Sequence, residues 1–388
     1  MKAEIIHIAG FDTYNTHDSG NYIVFNNLRP LGLSQVMILG LQKTKNENDL
    51  IYMPKNKIVD SIEECKILVL HDELLDPKQI EEIHKKTNCK IVMISQTHYH
   101  ITGGCSYPVL ADKLVVNQCE RFKDSCGSCP DKKSNIAQDE TYVSMSAKKK
   151  HLMNLPITVV VGSSHSKMLT QQSTLYKQVE LIPLPNDIFF CDFDKKLLRQ
   201  KNNLNPDLKY VFWGTTQPQT QRKGKAFFDA ALDSVWEKLD EKERSKIVVV
   251  YAGPQKLSFG NKSKFQSIHL GYIPTRRLMS AAYRLSDISV CTTLSDAGPM
   301  MITESCMNET PVVAFDQSIA IDLIENDKTG YLIENFDVED MAKKTIDLLY
   351  HSNLEGISKA ARAKALQFHD KDVVLAKWKL LFETLAGN

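Results

Sequence analysis

Two carboxylates eight positions apart bracket the stretch of this chain best suited to chemistry, residues 295–316 (SDAGPMMITESCMNETPVVAFD). Asp296 precedes a Gly298-Pro299 loop, and Glu304 falls within the short helix expected after it. A strand predicted over 288–291 feeds the loop, and another over 311–315 follows the helix. A helix that starts straight after such a loop offers unpaired N–H groups and a positive dipole end, which suits a diphosphate. A carboxylate at each end can hold sugar hydroxyls, although an ordinary βαβ turn with two surface acids uses the same residues. A second feature is Arg222-Lys223-Gly224, at the start of the helix that follows a strand over 210–213. Two cations at a helix N-terminus oppose its dipole. An anion bound between them removes that conflict; a solvated basic turn is the plainer alternative.

Cys105, Cys119, Cys126 and Cys129 form C-x13-C-x6-C-x2-C. Four thiols with one C-x2-C knuckle suit tetrahedral zinc, and a metal would stabilise an insertion with little core of its own. Reduced thiols, or a partial set completed by His98 or His100, fit the same spacing. The other five cysteines read as buried apolar fillers. Residues 147–155 (AKKKHLMNL) form a basic stretch able to touch an anionic membrane surface, or else a solvated helix face.

These residues need a scaffold, and the pattern supplies one. Strand-sized apolar runs at 4–9, 66–70, 90–95, 158–161, 179–182, 210–213, 246–251, 288–291 and 311–315 alternate with amphipathic helical stretches. Asp76-Pro77 reads as an N-cap followed by Pro at the first helical position, and Asp337 with Asp340 reads as another cap. Alternation of this kind implies parallel sheets with helices on both faces. Residues 99–150 break the rhythm as an irregular insertion, and 183–209 mark a boundary between two α/β domains. With 388 residues, two domains are the default. Forty-eight basic residues nearly cancel 47 acidic ones, and residues 1–185 hold 21 against 20. Neither half has the positive excess of a nucleic-acid binder. No apolar run approaches the roughly 20 residues that span a bilayer. The N-terminus lacks a signal-peptide pattern, so a cytosolic protein with free or metal-bound thiols is expected.

The order strand-GT…RKG-helix, then residues 270–316 (LGYIPTRRLMSAAYRLSDISVCTTLSDAGPMMITESCMNETPVVAFD), then NDKTGYLI, resembles the retaining GT-B glycosyltransferases of family GT4. The likeness is greatest to the branch that builds bacterial capsule, O-antigen and exopolysaccharide. IPLPNDIFFCDFDKK is similar to that branch's interdomain segment, and residues 100–130 resemble its cysteine-bearing insertion. The resemblance implies an α/β, GT-B fold: two Rossmann-like, doubly wound domains facing a cleft, with the C-terminal helix crossing back to the first. The acceptor-side domain would be 1–185, including the insertion 99–150 and the returning helix 372–388. The nucleotide-sugar domain would be 205–371.

By the same resemblance Arg222 and Lys223 would grip the donor diphosphate and assist its departure, and Glu304 would hold the ribose hydroxyls. Asp296 stands at the family's first acid, and Gly298, Pro299, Met300 and Met301 would line donor sugar and phosphates. Asp18-Ser19-Gly20-Asn21 stands where relatives carry a Gly-Gly loop near diphosphate and acceptor, which adds Ser19, Gly20 and Asn21 to the donor-binding set. The histidine that relatives place after the strand at 90–95 is Gln96 here, with His98 two residues on as its substitute. A glutamine can orient a hydroxyl but cannot act as a base. The expected activity is transfer of a sugar from a UDP- or GDP-sugar to a glycan or lipid-linked acceptor with retention, in cell-surface polysaccharide synthesis. No cofactor is expected for catalysis, only the possible structural zinc. A non-catalytic GT-B homologue acting as a binding or partner subunit is the alternative. The location expected is cytoplasmic, with peripheral contact at the inner face of the membrane and no nucleic-acid partner.

Overall fold

The structure is a computed structural model that describes residues 2–9, 25, 35–40, 45–47, 50–71, 74–130, 139–183 and 189–387. In chain order the strands are β1 (Ile5–Ala9), β2 (Gln35–Gly40), β3 (Lys45–Glu47), β4 (Leu50–Met53), β5 (Ile67–Leu70), β6 (Lys90–Ser95), β7 (Val109–Asp112) and β8 (Val115–Gln118). Then come β9 (Ile157–Val161), β10 (Gln178–Leu181), β11 (Lys209–Gly214), β12 (Ile247–Ala252), β13 (Gln266–His269), β14 (Ile288–Cys291), β15 (Val312–Phe315) and β16 (Gly330–Ile333). They divide between two compact units.

The first unit holds the eight-stranded sheet β10-β9-β6-β5-β1-β2-β4-β3, parallel except where β3 meets β4. Strands such as IIHIA in β1 and ITVVV in β9 are buried along their whole length, as a parallel sheet covered on both faces requires. Helix Pro77–Thr87 starts where the Asp76-Pro77 signal puts it, with Gln79 Oε1 accepting from the Asp76 N–H at 3.0 Å. The C-terminal helix Lys371–Gly387 belongs to this unit. Its Val374, Trp378 and Phe382, spaced four apart, are at most 1% exposed and pack on Ile5, Val69 and Val92 of the sheet. Trp378 Nε1 also donates to the Pro183 carbonyl. Truncating such a residue to alanine typically costs about 3–5 kcal/mol, so the helix is an integral part of the unit.

The second unit has the six-stranded, all-parallel sheet β13-β12-β11-β14-β15-β16. Counted from β11, the order is 3-2-1-4-5-6, the doubly wound dinucleotide-binding arrangement. Its order reverses between β11 and β14, and ligands of such sheets sit beyond the carboxyl ends of the two strands at that point. Helix Val338–Leu349 is capped by Asp337, which accepts from the Glu339 and Asp340 N–H groups, as the sequence indicated.

The insertion 99–150 is more ordered than its composition suggests. Helix Glu140–Leu152 is regular: Asp139 accepts from the Thr141 and Tyr142 N–H groups, and Thr141, Met145, Lys148 and Leu152 form one buried stripe. The Lys-Lys-Lys run hides that stripe, because Lys148 points inward and donates to the carbonyls of Tyr99 and Thr102. β7 and β8 make an antiparallel hairpin that groups with the second unit, whereas the sequence assigned all of 99–150 to the first. Ala111 and Val116 explain this, since both pack against the second unit's core. The stretch 183–209 likewise contains a helix, Lys195–Lys201, capped by Asp194.

Candidate functional site

After β11 the chain forms a 3-10 turn, Gln221–Lys223, and then Gly224 at φ 70° opens helix Lys225–Lys238. Only glycine fits there, because a Cβ would lie 1.7 Å from the Thr292 carbonyl oxygen. That close approach binds the turn to the loop leaving β14. The Leu294 N–H donates to the Arg222 carbonyl at 2.8 Å, and Trp213 Nε1 donates to Thr292 Oγ1 at 3.2 Å. Both loops start at the point where the strand order reverses.

The loop after β14 carries Asp296 into this corner. Its Oδ2 accepts from Arg222 Nη1 at 2.8 Å and Lys223 Nζ at 2.7 Å, while Oδ1 accepts from the Gly298 N–H at 3.3 Å. The side chains of Arg222, Lys223 and Asp296 are no more than 22% exposed. Burial pushes the Asp296 carboxyl up, but the two cations and the backbone N–H outweigh it and hold the carboxyl below its ordinary value. Asp296 thus occupies the cations that the sequence assigns to a diphosphate. Helix Met300–Met307 follows, with Pro299 at its N-cap offering no side-chain oxygen to the first turn.

Glu304 lies one helical turn farther along and is partly buried. Tyr283 Oη, on helix Arg276–Leu285, donates to its Oε2 at 3.1 Å. Burial pushes Glu304 up to about 7, against the lowering pull of that hydrogen bond and of the Arg276 charge. A pocket of about 260 Å³ joins these pieces, with Lys223, Tyr272, Tyr283, Pro299, Met301 and Glu304 among its walls. Lys223, Pro299, Met300, Met301 and Glu304 of the residues marked in the sequence line it; Arg222, Asp296 and Gly298 stand beside it. Trp213, Tyr272 and Tyr283 were not foreseen.

In the first unit Gln96 follows β6 directly, partly exposed, with Nε2 3.5 Å from the His71 carbonyl it donates to. His98 is placed differently from the direct acceptor contact expected of it. Its side chain is fully buried, its Nε2 bonds Ser166 Oγ at 2.9 Å, and its ring meets Tyr107 edge-on. His100 is equally enclosed, bonding Thr170 Oγ1 at 2.9 Å, and burial drives it down to about 3. His71 is held well below its usual range by burial and by His7, whose Nδ1 lies 2.8 Å from its Nε2. Ser19, Gly20 and Asn21 lie outside the described residues.

The four insertion cysteines share a neighbourhood. Burial raises Cys105 and Cys126, and the charges of Cys119 and Cys129 raise both further. Cys126 Sγ also accepts from the Gly103 N–H at 3.1 Å. Among the described residues no group of three or more His, Cys, Asp or Glu side chains is arranged to hold a metal ion. The donor set therefore has the right chemistry for zinc without the converged geometry.

Residues 195–364 match the family Glycosyl transferases group 1. A 97-residue stretch is 33% identical to the poly(ribitol-phosphate) alpha-N-acetylglucosaminyltransferase of Staphylococcus aureus (strain COL). That match takes in 24% of this chain and only 20%, about a fifth, of the relative's length. Among solved structures, Anabaena HepE in complex with UDP and glucose is similar over all of both chains, with 13% identity and a TM-score of 0.64. Sucrose-phosphate synthase from Thermosynechococcus elongatus is similar over 99% of each chain, at 13% identity and a TM-score of 0.65. A trehalose-6-phosphate structure from E. coli, bound with UDP-2-fluoro glucose, is similar over 100% of this chain and 99% of that one, at 12% identity and a TM-score of 0.66. At such identities the likeness shows the fold, two Rossmann-like domains of the GT-B type.

Proposed function

We propose that this GT-B chain, with its glycosyl transferases group 1 domain, moves a sugar from a nucleoside diphosphate donor to a glycan or lipid-linked acceptor with retention, in the synthesis of a cell-surface polysaccharide. One observation carries the reading. Lys223, which shares Asp296 with Arg222, lines one pocket together with the carboxylate of Glu304, and that pocket lies where the strand order reverses.

In this reading the diphosphate of a UDP- or GDP-sugar takes over Arg222 and Lys223 from Asp296. The two cations and the N-terminus of helix Met300–Met307 then carry the negative charge that grows on the leaving diphosphate. Asp296, released, turns to the sugar hydroxyls, and Glu304 receives the ribose diol. Retention follows from displacement on the face the diphosphate leaves, with the departing phosphate oxygen taking the acceptor's proton. Gln96 orients that acceptor hydroxyl, and His98 acts only by supporting the segment that bears Gln96. The presence of UDP or a UDP-sugar analogue in two of the similar structures supports a nucleotide donor.

Zinc on Cys105, Cys119, Cys126 and Cys129 is proposed as a structural element. A cytoplasmic place beside a membrane is proposed from the outer face of helix Glu140–Leu152 and its end, where Tyr142, Val143 and Met153 are exposed beside Lys150. No helix of the described residues is long and apolar enough to cross a membrane.

The test is calorimetry with UDP, GDP and dTDP, followed by a hydrolysis and transfer screen with the matching sugars. Lys223→Ala and Glu304→Ala should each weaken nucleoside diphosphate binding about ten- to a hundredfold, the loss of a charge-assisted hydrogen bond. Unchanged binding in both would end the assignment. The alternative, a non-catalytic binding subunit, draws on Gln96 at the histidine position. It prevails if nucleotide binds and no acceptor is ever glycosylated.

A further inference from the structure

We propose that Tyr283 is a positioning residue for the donor nucleotide: its hydroxyl fixes Oε2 of Glu304, so that Oε1 is turned to receive the vicinal diol of a ribose. The inference rests on the donor-site reading above. It concerns a residue that the sequence did not single out.

Tyr283 is 1% exposed and is held on three sides. Its ring packs on Phe212 of β11 with centroids 4.7 Å apart. Its carbonyl accepts from Thr310 Oγ1 at 2.8 Å and from the Ser286 N–H at 2.9 Å. A ring fixed in this way has its hydroxyl aimed in one direction, at Glu304 Oε2. Among the described residues no donor is bonded to Glu304 Oε1, and both side chains line the same pocket. A glutamate has three rotatable bonds, and pinning one oxygen removes most of that freedom before a ligand arrives.

The bond also stabilises the ionised form of Glu304. A carboxylate accepts two hydroxyls, whereas a carboxylic acid must donate from one oxygen. The other charged or titratable groups around the pair are Arg276 on Tyr283's own helix, Cys291 at the end of β14, and Lys223, which lines the pocket from the turn after β11. Arg276 also favours the carboxylate, and burial opposes both. Since Glu304 sits at about 7, losing the Tyr283 hydroxyl moves it higher still, and the pH above which a diol is well held moves up with it.

Tyr283→Phe keeps the ring against Phe212 and removes one oxygen. Calorimetry with UDP and GDP across the neutral pH range should show binding weakened about tenfold at pH 7, with its pH midpoint displaced upward. Glu304→Gln should flatten that pH dependence and so separate it from titration of the nucleotide itself. A variant that binds as the wild type does, with the same midpoint, overturns the proposal. So does weaker binding at an unchanged midpoint, which would reduce Tyr283 to packing. If neither nucleotide binds the wild type, the donor-site reading fails instead, and the pair is judged on the unliganded chain by carbon-13 NMR of labelled glutamate. There the Glu304 midpoint must rise in Tyr283→Phe, and a fixed midpoint overturns the pairing.

Discussion

Asp296→Asn separates a donor site from a structural ion pair, because the two predict opposite effects of nucleotide. The substitution keeps the shape and the bond from the Gly298 N–H but removes the charge that Arg222 and Lys223 share. Each charge-assisted bond contributes roughly 1.5–3 kcal/mol, and removing the charge opposite two partly buried cations adds a cost. The amide oxygen recovers part of this, so a net loss of about 2–4 kcal/mol is expected. For a unit of this size 1 kcal/mol moves the midpoint by about 2–4 °C, which gives a fall of roughly 4–16 °C. The sign with pH follows from the depressed carboxyl: Asp296 contributes stability above its unfolded value, and that contribution is lost as pH falls through the folded one. The gap between wild type and variant should therefore close below about pH 4. On the donor-site reading a diphosphate displaces Asp296 in the wild type, whereas in the variant that competing charge is gone. Thermal unfolding with and without UDP or GDP should then show a larger nucleotide-induced rise in the variant than in the wild type, while transfer activity falls. An equal or smaller rise would refute the exchange of Asp296 for diphosphate.

Two further outcomes are expected. Gln96→Ala should depress transfer several-fold or more while leaving nucleotide affinity nearly intact, whereas His98→Ala should act on thermal stability through its buried bond to Ser166; equal effects of both on stability alone would remove Gln96 from the acceptor side. Protein purified without added zinc should carry one zinc per chain, lost with Cys126→Ser and Cys129→Ser together; metal content near zero with all four insertion thiols titrating freely would leave them as ordinary cysteines.

Much of the fold was legible because parallel strands announce themselves as apolar runs. IVVVYA in β12 and ITVVV in β9 have no competing interpretation. The proposed donor corner stands out for the opposite reason: Arg222, Lys223, Asp296 and Glu304 are polar residues in the turn, loop and helix that follow β11 and β14, where their partial burial needs a purpose. Charge alone concealed their mutual pairing, since Lys223 and Asp296 stand 73 residues apart and only the sheet order brings them to 2.7 Å. Tyr283 escaped notice because an aromatic at helical spacing reads as core, and its ring is core; the hydroxyl alone has another use. Lys148 and His98 misled in the other direction. A lysine among lysines reads as solvated, and a histidine near a strand end reads as reactive, yet local backbone carbonyls and a serine absorb their polar atoms. In the insertion, cysteines and glycines obscured the four-residue stripe of helix Glu140–Leu152.

The contact of Gly224 with the Thr292 carbonyl, and of Arg222 with Leu294, has a bearing on how this protein can change. The basic turn and the acidic loop share a backbone bond and a close backbone contact, so neither is a detachable module. Grafting one from a relative with a different preference would bring a turn cut to fit another loop, and a misfit of an ångström at Gly224 would displace both cations together. On the donor-site reading, divergence in donor choice would then proceed by paired replacements across the reversal of the sheet. It would fall more readily on the pocket walls that make no such bond, Tyr272 and Met279 among them, than on the corner itself.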